Sequence, residues 1–297
     1  MDLRNGPIQK EPEKKRHTIR NLSIIFAGML LTTFVVQATD TIRNTQEALV
    51  SNAVTGIILE TNDGCPNDMV FVSSTRGGFC IDKFEVSAGE TCPYDTPLSI
   101  NETHANLNTP GCVPVSKKGK TAWTNVSQTQ AIEICSKVGK HLPSNEEWFL
   151  GSLGTPDIAG DWKKRDCNVA QNWNGMEVGK TGTGDACEST AGAYDMIGNV
   201  WEWTNETVTM GVYKNIPLPK NGYVQGVMTE GLPLETGNEA SPLFYGDRFW
   251  VDDTKVTGIF RGGYFGSGSD AGRFAVHAET APTFAAKAVG FRCEVTS

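Results

Sequence analysis

The stretch FRGGYFGSGSDAGRFAVHAETAPTFAAKAVGFRC, residues 260–293, contains two interleaved kinds of position. One kind is glycine, alanine or an aromatic residue of the sort that builds a fixed backbone and core. The other kind shares no chemistry and follows neither the period of a strand nor that of a helix. These irregular positions are Tyr264, Gly266, Ser267, Ser269, Asp270, His277, Thr280, Phe284, Ala286 and Ala288. The pattern indicates a rigid frame that carries interchangeable side chains.

The composition is that of a folded protein with an acidic body. Of 297 residues, 39% are hydrophobic, with 32 Gly and 14 Pro, which suits one large globular domain or two small ones. The formal net charge is -8, and residues 1–20 carry three more basic than acidic side chains, so the remainder carries -11. Because phosphate binding normally needs a clustered positive face, we expect no nucleic-acid partner.

Residues 21–39, NLSIIFAGMLLTTFVVQAT, form an uncharged run directly after a basic flank. A basic flank in front of an apolar run predicts that residues 1–20 stay in the cytoplasm and that the rest is exported. The run is just long enough to remain as a single-pass membrane anchor, with residues 40–63 as a stalk. Alternatively, 36–38 form a small-residue cleavage site and the run is a signal peptide. Both alternatives predict an extracytoplasmic protein, either anchored at the cell surface or secreted.

The eight cysteines all follow this segment. An even number in an exported chain predicts disulfides, whereas a metal site is disfavoured because no C-x-x-C pair occurs. These residues are Cys65, Cys80, Cys92, Cys112, Cys135, Cys167, Cys187 and Cys293.

Residues 64–297 are predicted to be one loop-rich α+β domain. Ser127 and Ser144 each begin an S-x-x-Q or S-x-x-E capping box in front of apolar residues, which predicts two helices. The segments DMVFVSS, GFCIDKFEVS, FWVDD and VTGIFRGG are typical of strands. Residues 153–193 and 204–241 show little periodicity and are expected to be loops.

The segment GNVWEW, residues 198–203, offers oxygen ligands of the kind that Ca²⁺ takes. These are the side chains of Asn199 and Glu202 and the carbonyl of Val200. The alternative is a tryptophan-rich strand in which backbone hydrogen bonds satisfy Glu202. Motifs of zinc proteases, nucleotide-binding loops and serine hydrolases do not occur.

Three blocks, residues 121–148, 192–203 and 260–293, resemble in that order the signature blocks of the formylglycine-generating-enzyme/sulfatase-modifying-factor domain. The resemblance covers about residues 64–293 and implies a C-type-lectin-like fold in its loop-rich variant. It further implies a disulfide between Cys135 and Cys293. It places calcium ligands at Asn199, Val200 and Glu202, and a weaker second calcium site at Asn168.

The enzymes of this family hold copper with two cysteines shortly after the Gly-Gly pair. The corresponding positions here are Ser267 and Gly272, neither of which can bind copper as a thiolate. We therefore expect no copper and no enzyme activity, and Ca²⁺ is the cofactor that the resemblance implies. A relative of the oxidase with other chemistry is the alternative.

The frame of residues 261–292 also resembles the variable region of proteins diversified by retroelements, in which error-prone reverse transcription changes adenine-templated codons. Most irregular positions fit such codons. Glu279 and Lys287, which lie between these positions, do not fit and are either frame residues or products of a different template codon. The resemblance implies a receptor or adhesin that binds a protein or glycan on another cell, a virus or a host through these positions. The alternatives are an ordinary solvent-exposed loop and a structural filament subunit, and the sequence leaves the oligomeric state open.

Overall fold

The computed structural model describes residues 64–75, 77–158, 160–173 and 175–296. The predicted cytoplasmic tail, membrane segment and stalk, residues 1–63, lie outside the described residues. Within the described ranges, no helix is long and apolar enough to cross a bilayer.

Most regular structure in the described residues is strand, with three helices. The helices are α1 (Ile100–Asn108), α2 (Gln128–Ser136) and α3 (Asn145–Ser152). The strands are β1 (Met69–Ser74), β2 (Gly77–Asp82), β3 (Val86–Ala88), β4 (Pro114–Ser116), β5 (Trp201–Thr209), β6 (Val212–Tyr213), β7 (Ile216–Pro217), β8 (Gly222–Val227), β9 (Pro233–Gly237), β10 (Arg248–Val251), β11 (Val256–Arg261), β12 (Val276–Ala278), β13 (Val289–Gly290) and β14 (Glu294–Thr296).

The strands form one large and two small sheets. The large sheet has the order β7-β6-β5-β11-β12-β10-β8-β9, with β13 paired to β5. Its neighbours are antiparallel except for the parallel pairs β10 with β12 and β13 with β5. The sheet β1-β2-β14 joins the two ends of the domain, since Ile81 pairs with Glu294. Strands β3 and β4 form the third sheet.

The two faces of the large sheet belong to different cores, because successive strand residues point to opposite faces. Phe249, Ile259 and Val276 lie in one buried cluster, whereas Phe260 lies in another with Trp203. This second cluster contains α2 and the closing segment of the chain. Burial of each such side chain contributes roughly 2–3 kcal/mol to folding.

Four disulfides use all eight cysteines. Cys135 of α2 is joined to Cys293 at the end of the chain, the pair that the resemblance implies, with Cα atoms 5.6 Å apart. The other pairs are Cys65–Cys80, Cys92–Cys112 and Cys167–Cys187.

Both predicted helices are confirmed with their caps. The hydroxyl of Ser127 accepts from the Gln130 N–H, and that of Ser144 accepts from the Glu147 N–H. The expectation that 204–241 is loop is wrong: most of β5 and strands β6 to β9 lie there. Helix α1 was not predicted either, although Ser99 caps it.

Candidate functional site

Arg261, the last residue of β11, anchors the start of the predicted variable region. Its guanidinium is fully buried and donates to the side chain of Asn145 and to the carbonyls of Arg273 and Ala275, at 2.7 and 3.3 Å for the two carbonyls. It also lies 4.9 Å from the ring of Trp148. Burial lowers the pKa of Arg261 to about 9. One side chain thus holds the chain on both sides of the loop at 262–272.

Arg292 anchors the other end of the region. It forms a two-pronged ion pair with Glu202, with N···O distances of 2.7 and 2.6 Å, and both side chains are buried. It also donates to the carbonyls of Asp82 and Tyr194 at 2.8 and 2.9 Å, while Trp148 donates to Glu202 at 2.6 Å. The buried charges of Arg292 and Glu202 therefore neutralise each other, and both groups have further hydrogen-bond partners, as a stable buried ion pair requires.

Two frame glycines lie where a side chain would not fit. Gly263 has a φ of +92°, and a Cβ there would lie 2.4 Å from the Cβ of Ala271. A Cβ on Gly272 would lie 2.0 Å from a carboxylate oxygen of Asp247. Glycine at these positions lets the backbone of the region pack directly on its neighbours.

The ten predicted variable positions all reach the surface. Ser269 and Phe284 are exposed, and the half-buried ones are Tyr264, Gly266, Ser267, Asp270, His277, Thr280, Ala286 and Ala288. The residues between them include buried frame positions, namely Gly262, Gly263, Phe265, Ala271, Gly272, Ala275, Val276 and Ala278. All insert positions therefore reach the surface, whereas the frame contains buried residues together with half-buried ones such as Gly268, Phe274 and Pro282.

The first group of variable positions lies on the loop after β11. The Ser267 hydroxyl accepts from the backbone N–H of Tyr264 at 3.0 Å. A Cβ on Gly266 would lie 2.9 Å from the Tyr264 ring, so a larger residue at Gly266 requires that ring to move. Asp270 lies 3.7 Å from Arg248 of β10, which connects the loop to the sheet.

The second group lies on an aromatic cluster. His277 of β12 stacks on Phe260 with ring centroids 4.4 Å apart, and lies 6.0 Å from both Trp201 and Trp250. Phe284 stacks over Phe260 at 6.5 Å. Burial lowers the pKa of His277 to about 4, so its imidazole is neutral at physiological pH. This part of the surface is therefore aromatic with a neutral imidazole, and the carboxylate of Glu279 borders it, 3.5 Å from His277 Nε2.

The remaining variable positions are fixed through their backbone. The carbonyls of Thr280, Ala286 and Ala288 accept from the N–H groups of Gly258, Asn125 and Trp201 at 2.9, 3.0 and 2.8 Å. Since these bonds do not involve side chains, any residue that fits sterically at these positions can form them.

Two residues outside the predicted variable region border the surface, and the sequence did not predict them. Trp250 is half-buried beside His277, and Arg248 packs over Trp250 with its guanidinium carbon 5.7 Å from the ring. The signal was present, because Trp250 alternates with the buried Phe249 and Val251 and so points to the opposite face.

The predicted calcium ligands lie near one another but are bonded to protein. Glu202 binds the side chains of Arg292 and Trp148, not the backbone groups that the alternative to a calcium site predicted. The side-chain oxygen of Asn199, Oδ1, accepts from the Gly179 N–H at 2.7 Å and from the side-chain amide of Asn168 at 3.2 Å. Since the Glu202 carboxylate is committed to Arg292, these residues do not fit a single calcium site in this arrangement.

Calcium binding stays a prediction, because two other buried oxygen-bearing groups, on Glu85 and Asn168, lie beside these residues. The Val200 N–H and the Asn199 amide donate to the buried carboxylate of Glu85 at 3.2 and 2.6 Å. The side-chain oxygen of Asn168 is buried without a hydrogen-bond partner among the described residues. It is the one predicted ligand side-chain oxygen with free capacity.

The mostly-sheet architecture with few helices is in keeping with the C-type-lectin-like fold that the resemblance implies. Residues 57–296 match the Sulfatase-modifying factor enzyme 1-like domain, and the chain belongs to this family.

Curated relatives match over part of their length. The formylglycine-generating enzyme of Mus musculus is 30% identical in an alignment of 102 residues that covers 29% of this chain and 27% of that enzyme. The inactive C-alpha-formylglycine-generating enzyme 2 of Mus musculus is 29% identical in an alignment of 109 residues that covers 31% of this chain and 34% of that protein. The matches thus span about a third or less of these relatives.

Solved structures are similar at low identity. The Major Tropism Determinant I1 variant has a TM-score of 0.45 and 17% identity, covering 78% of this chain and 53% of the other. Treponema denticola variable protein 1 has a TM-score of 0.41 and 14% identity, covering 74% and 85%.

Proposed function

We propose that this protein is a surface-displayed receptor or adhesin that binds a protein or glycan through the surface formed by residues 264–288. In this proposal a retroelement diversifies the ten variable positions, so each variant has its own ligand. The extracytoplasmic location is supported by the four disulfides, which form and persist in oxidising compartments.

The observation that carries the proposal is that none of the ten insert positions is buried, whereas the groups that fix the backbone of the region are. The frame is held by buried groups, among them Arg261, Arg292 and the glycines that contact neighbouring chain. The insert positions reach solvent, and several are fixed by backbone bonds alone. A surface that must accept many sets of side chains requires this arrangement, because its fold cannot depend on the residues that change.

The chemistry of the surface suits adaptable binding. Tyr264, His277 and Phe284 supply apolar contact area at low cost in side-chain entropy, and small polar residues lie between them. Because a rigid backbone loses little freedom on binding, modest contact area is enough for useful affinity.

The copper oxidase activity of the family is not proposed for this chain. The two positions that would hold copper are Ser267, whose hydroxyl bonds within the loop, and Gly272, which contacts Asp247. All eight cysteines are in disulfides, so a thiolate pair would require one of these bonds to open.

The test is to sequence the DNA around this gene in its source population. We expect a near-copy of the coding region for residues 261–292 that differs at adenines, beside a reverse-transcriptase gene. Independent isolates should differ at Tyr264, Ser267, Asp270 and His277. Identical residues at these positions in many isolates, with no second copy, would refute diversification.

A further inference from the structure

The basic residues of the folded domain are concentrated in a few segments. Residues 64–297 contain 19 Lys and Arg against 27 Asp and Glu. Eight of the 19 lie in four short segments: Lys83, 117–120, 163–165 and Lys180. The rest of the domain is correspondingly more acidic.

Residues from two of these segments, 117–120 and 163–165, form one cleft of about 390 Å³ together with residues from 181–185, which follow Lys180. Lys118, Lys164 and Arg165 are its basic lining, with Asp185 beside them and Gly119 and Gly182 among the other lining residues. None of the lining residues belongs to the variable region 261–292. The cleft is therefore a separate site from the proposed ligand-binding surface.

The backbone around the cleft is held rigidly. The Gly119 N–H donates to Thr181 and the Thr181 N–H donates to Lys120, each at 2.8 Å. On the other wall, the Ala186 N–H donates to Arg165 at 2.9 Å, and the disulfide Cys167–Cys187 joins the same two segments. Groups fixed in this way lose little entropy when a ligand binds.

The cleft carries excess positive charge that the protein does not neutralise. Neither Lys118 nor Lys164 forms an ion pair with a residue that the structure describes. Asp185, the acidic lining residue, is bound by Arg165 through two hydrogen bonds of 2.7 and 2.8 Å. Lys118 and Lys83 both lie over the Tyr194 ring, at 5.6 and 5.9 Å from its centroid, so Lys83 adds charge nearby.

We propose that this cleft binds an acidic saccharide unit, carrying a sulfate or carboxylate, of a surface polysaccharide. Unpaired ammonium groups bind oxyanions, and a cleft of this volume has room for a sugar ring beyond the anionic group. The acidic remainder of the domain repels a polyanion elsewhere and directs it to this face. Because the cleft lies outside the variable region, all variants would share this binding.

The test uses the full chain and dextran sulfate as the probe, with neutral dextran as the ligand control. Lys118→Gln/Lys164→Gln is compared with Lys220→Gln/Lys255→Gln, which removes the same charge from two exposed lysines paired with Asp253 and Asp252. At about 150 mM salt we expect the cleft pair to weaken binding about tenfold or more, and the control pair to change it less than about twofold.

The proposal fails if both pairs weaken binding equally, since general charge would then explain it, or if the unaltered chain does not bind dextran sulfate. Binding to phosphatidylglycerol vesicles that dextran sulfate does not displace would assign the cleft to lipid headgroups and also overturn the proposal. Thermal unfolding of each variant shows that it is folded. We expect the variant that loses dextran sulfate binding at the cleft to keep its binding through residues 264–288, so the two proposals are tested independently.

Discussion

At the scale of single residues, Glu202 neutralises the buried guanidinium of Arg292 near the end of the domain. Its carboxylate pairs with Arg292 and accepts from Trp148. Removal of one partner from a buried pair leaves the other charge uncompensated, so Glu202→Gln should lower the free energy of unfolding by about 3 kcal/mol or more. Denaturant unfolding with the disulfides intact measures this, and the exposed Glu235→Gln is the control. A loss below about 1 kcal/mol would show that Arg292 finds another partner.

The burial of Asp157 predicts that the stability of the protein changes with pH. It is buried and accepts from the Arg273 N–H at 3.0 Å, and burial raises its pKa to about 6. Between about pH 4 and 6 the native state holds a proton that the unfolded chain has released, so this group lowers stability as pH rises. Asp157→Asn lacks this contribution.

We therefore expect the unfolding free energy of the native protein, relative to Asp157→Asn, to fall as pH rises from about 4 to 6 and then to level off. Urea unfolding of both proteins across this range measures the difference. A difference that stays constant with pH would mean that Asp157 is ionised throughout, contrary to its buried position.

At the scale of elements, the N-caps of α2 and α3 are independent contributions to stability. Each serine hydroxyl accepts from the third backbone N–H of its helix, and each N3 side chain bonds back to the cap. Ser127→Ala and Ser144→Ala should each cost about 1 kcal/mol in the free energy of unfolding. Thr129→Ala, an exposed hydroxyl within α2, is the matched control and should change it by less than about 0.5 kcal/mol. Equal losses from Thr129→Ala and Ser127→Ala would remove the cap as the cause.

These caps also explain which elements the sequence predicts. The signal for α2 and α3 is local, because cap and apolar residues lie within one turn. Ser99 and Glu102 give α1 the same S-x-x-E signature, with Glu102 accepting from Leu98 N–H at 2.6 Å. However, α1 is mostly polar, so no apolar run follows its cap to indicate a helix. Strands β6 to β9 were missed because they show no regular alternation: β6 and β7 have two residues each, and the pairing of β8 with β9 contains register shifts.

The same distinction applies to the candidate surface. The inserts could be identified from the sequence because they break the period of every element. For Trp250 the sequence indicates only the face of the strand, opposite Phe249 and Val251. Its contact with His277 could not be predicted, because that contact depends on the parallel pairing of β10 with β12. The partner of Glu202 was missed for the same reason, since Arg292 lies 90 residues away.

At the scale of the whole molecule, the domain should tolerate changes on its variable surface but not in its frame. Ser269, Asp270 and Phe284 lie at the surface, so the triple alanine variant should lower the free energy of unfolding by less than about 1 kcal/mol. Gly263→Ala places a Cβ 2.4 Å from Ala271 at a φ of +92°, and this single change should cost about 3 kcal/mol or more.

Gly268→Ala separates the two causes of that cost. Gly268 also has a positive φ, +62°, but a Cβ there has no described atom within 4 Å, so only backbone strain remains and about 1 kcal/mol is expected. Unfolding in guanidinium, with disulfides intact, ranks the three variants. If the triple variant loses as much stability as Gly263→Ala, the variable side chains support the fold, and a surface that diversifies freely is excluded. If Gly263→Ala loses the most stability and the triple variant the least, the frame alone is sufficient for folding. A binding surface whose residues change requires such a frame.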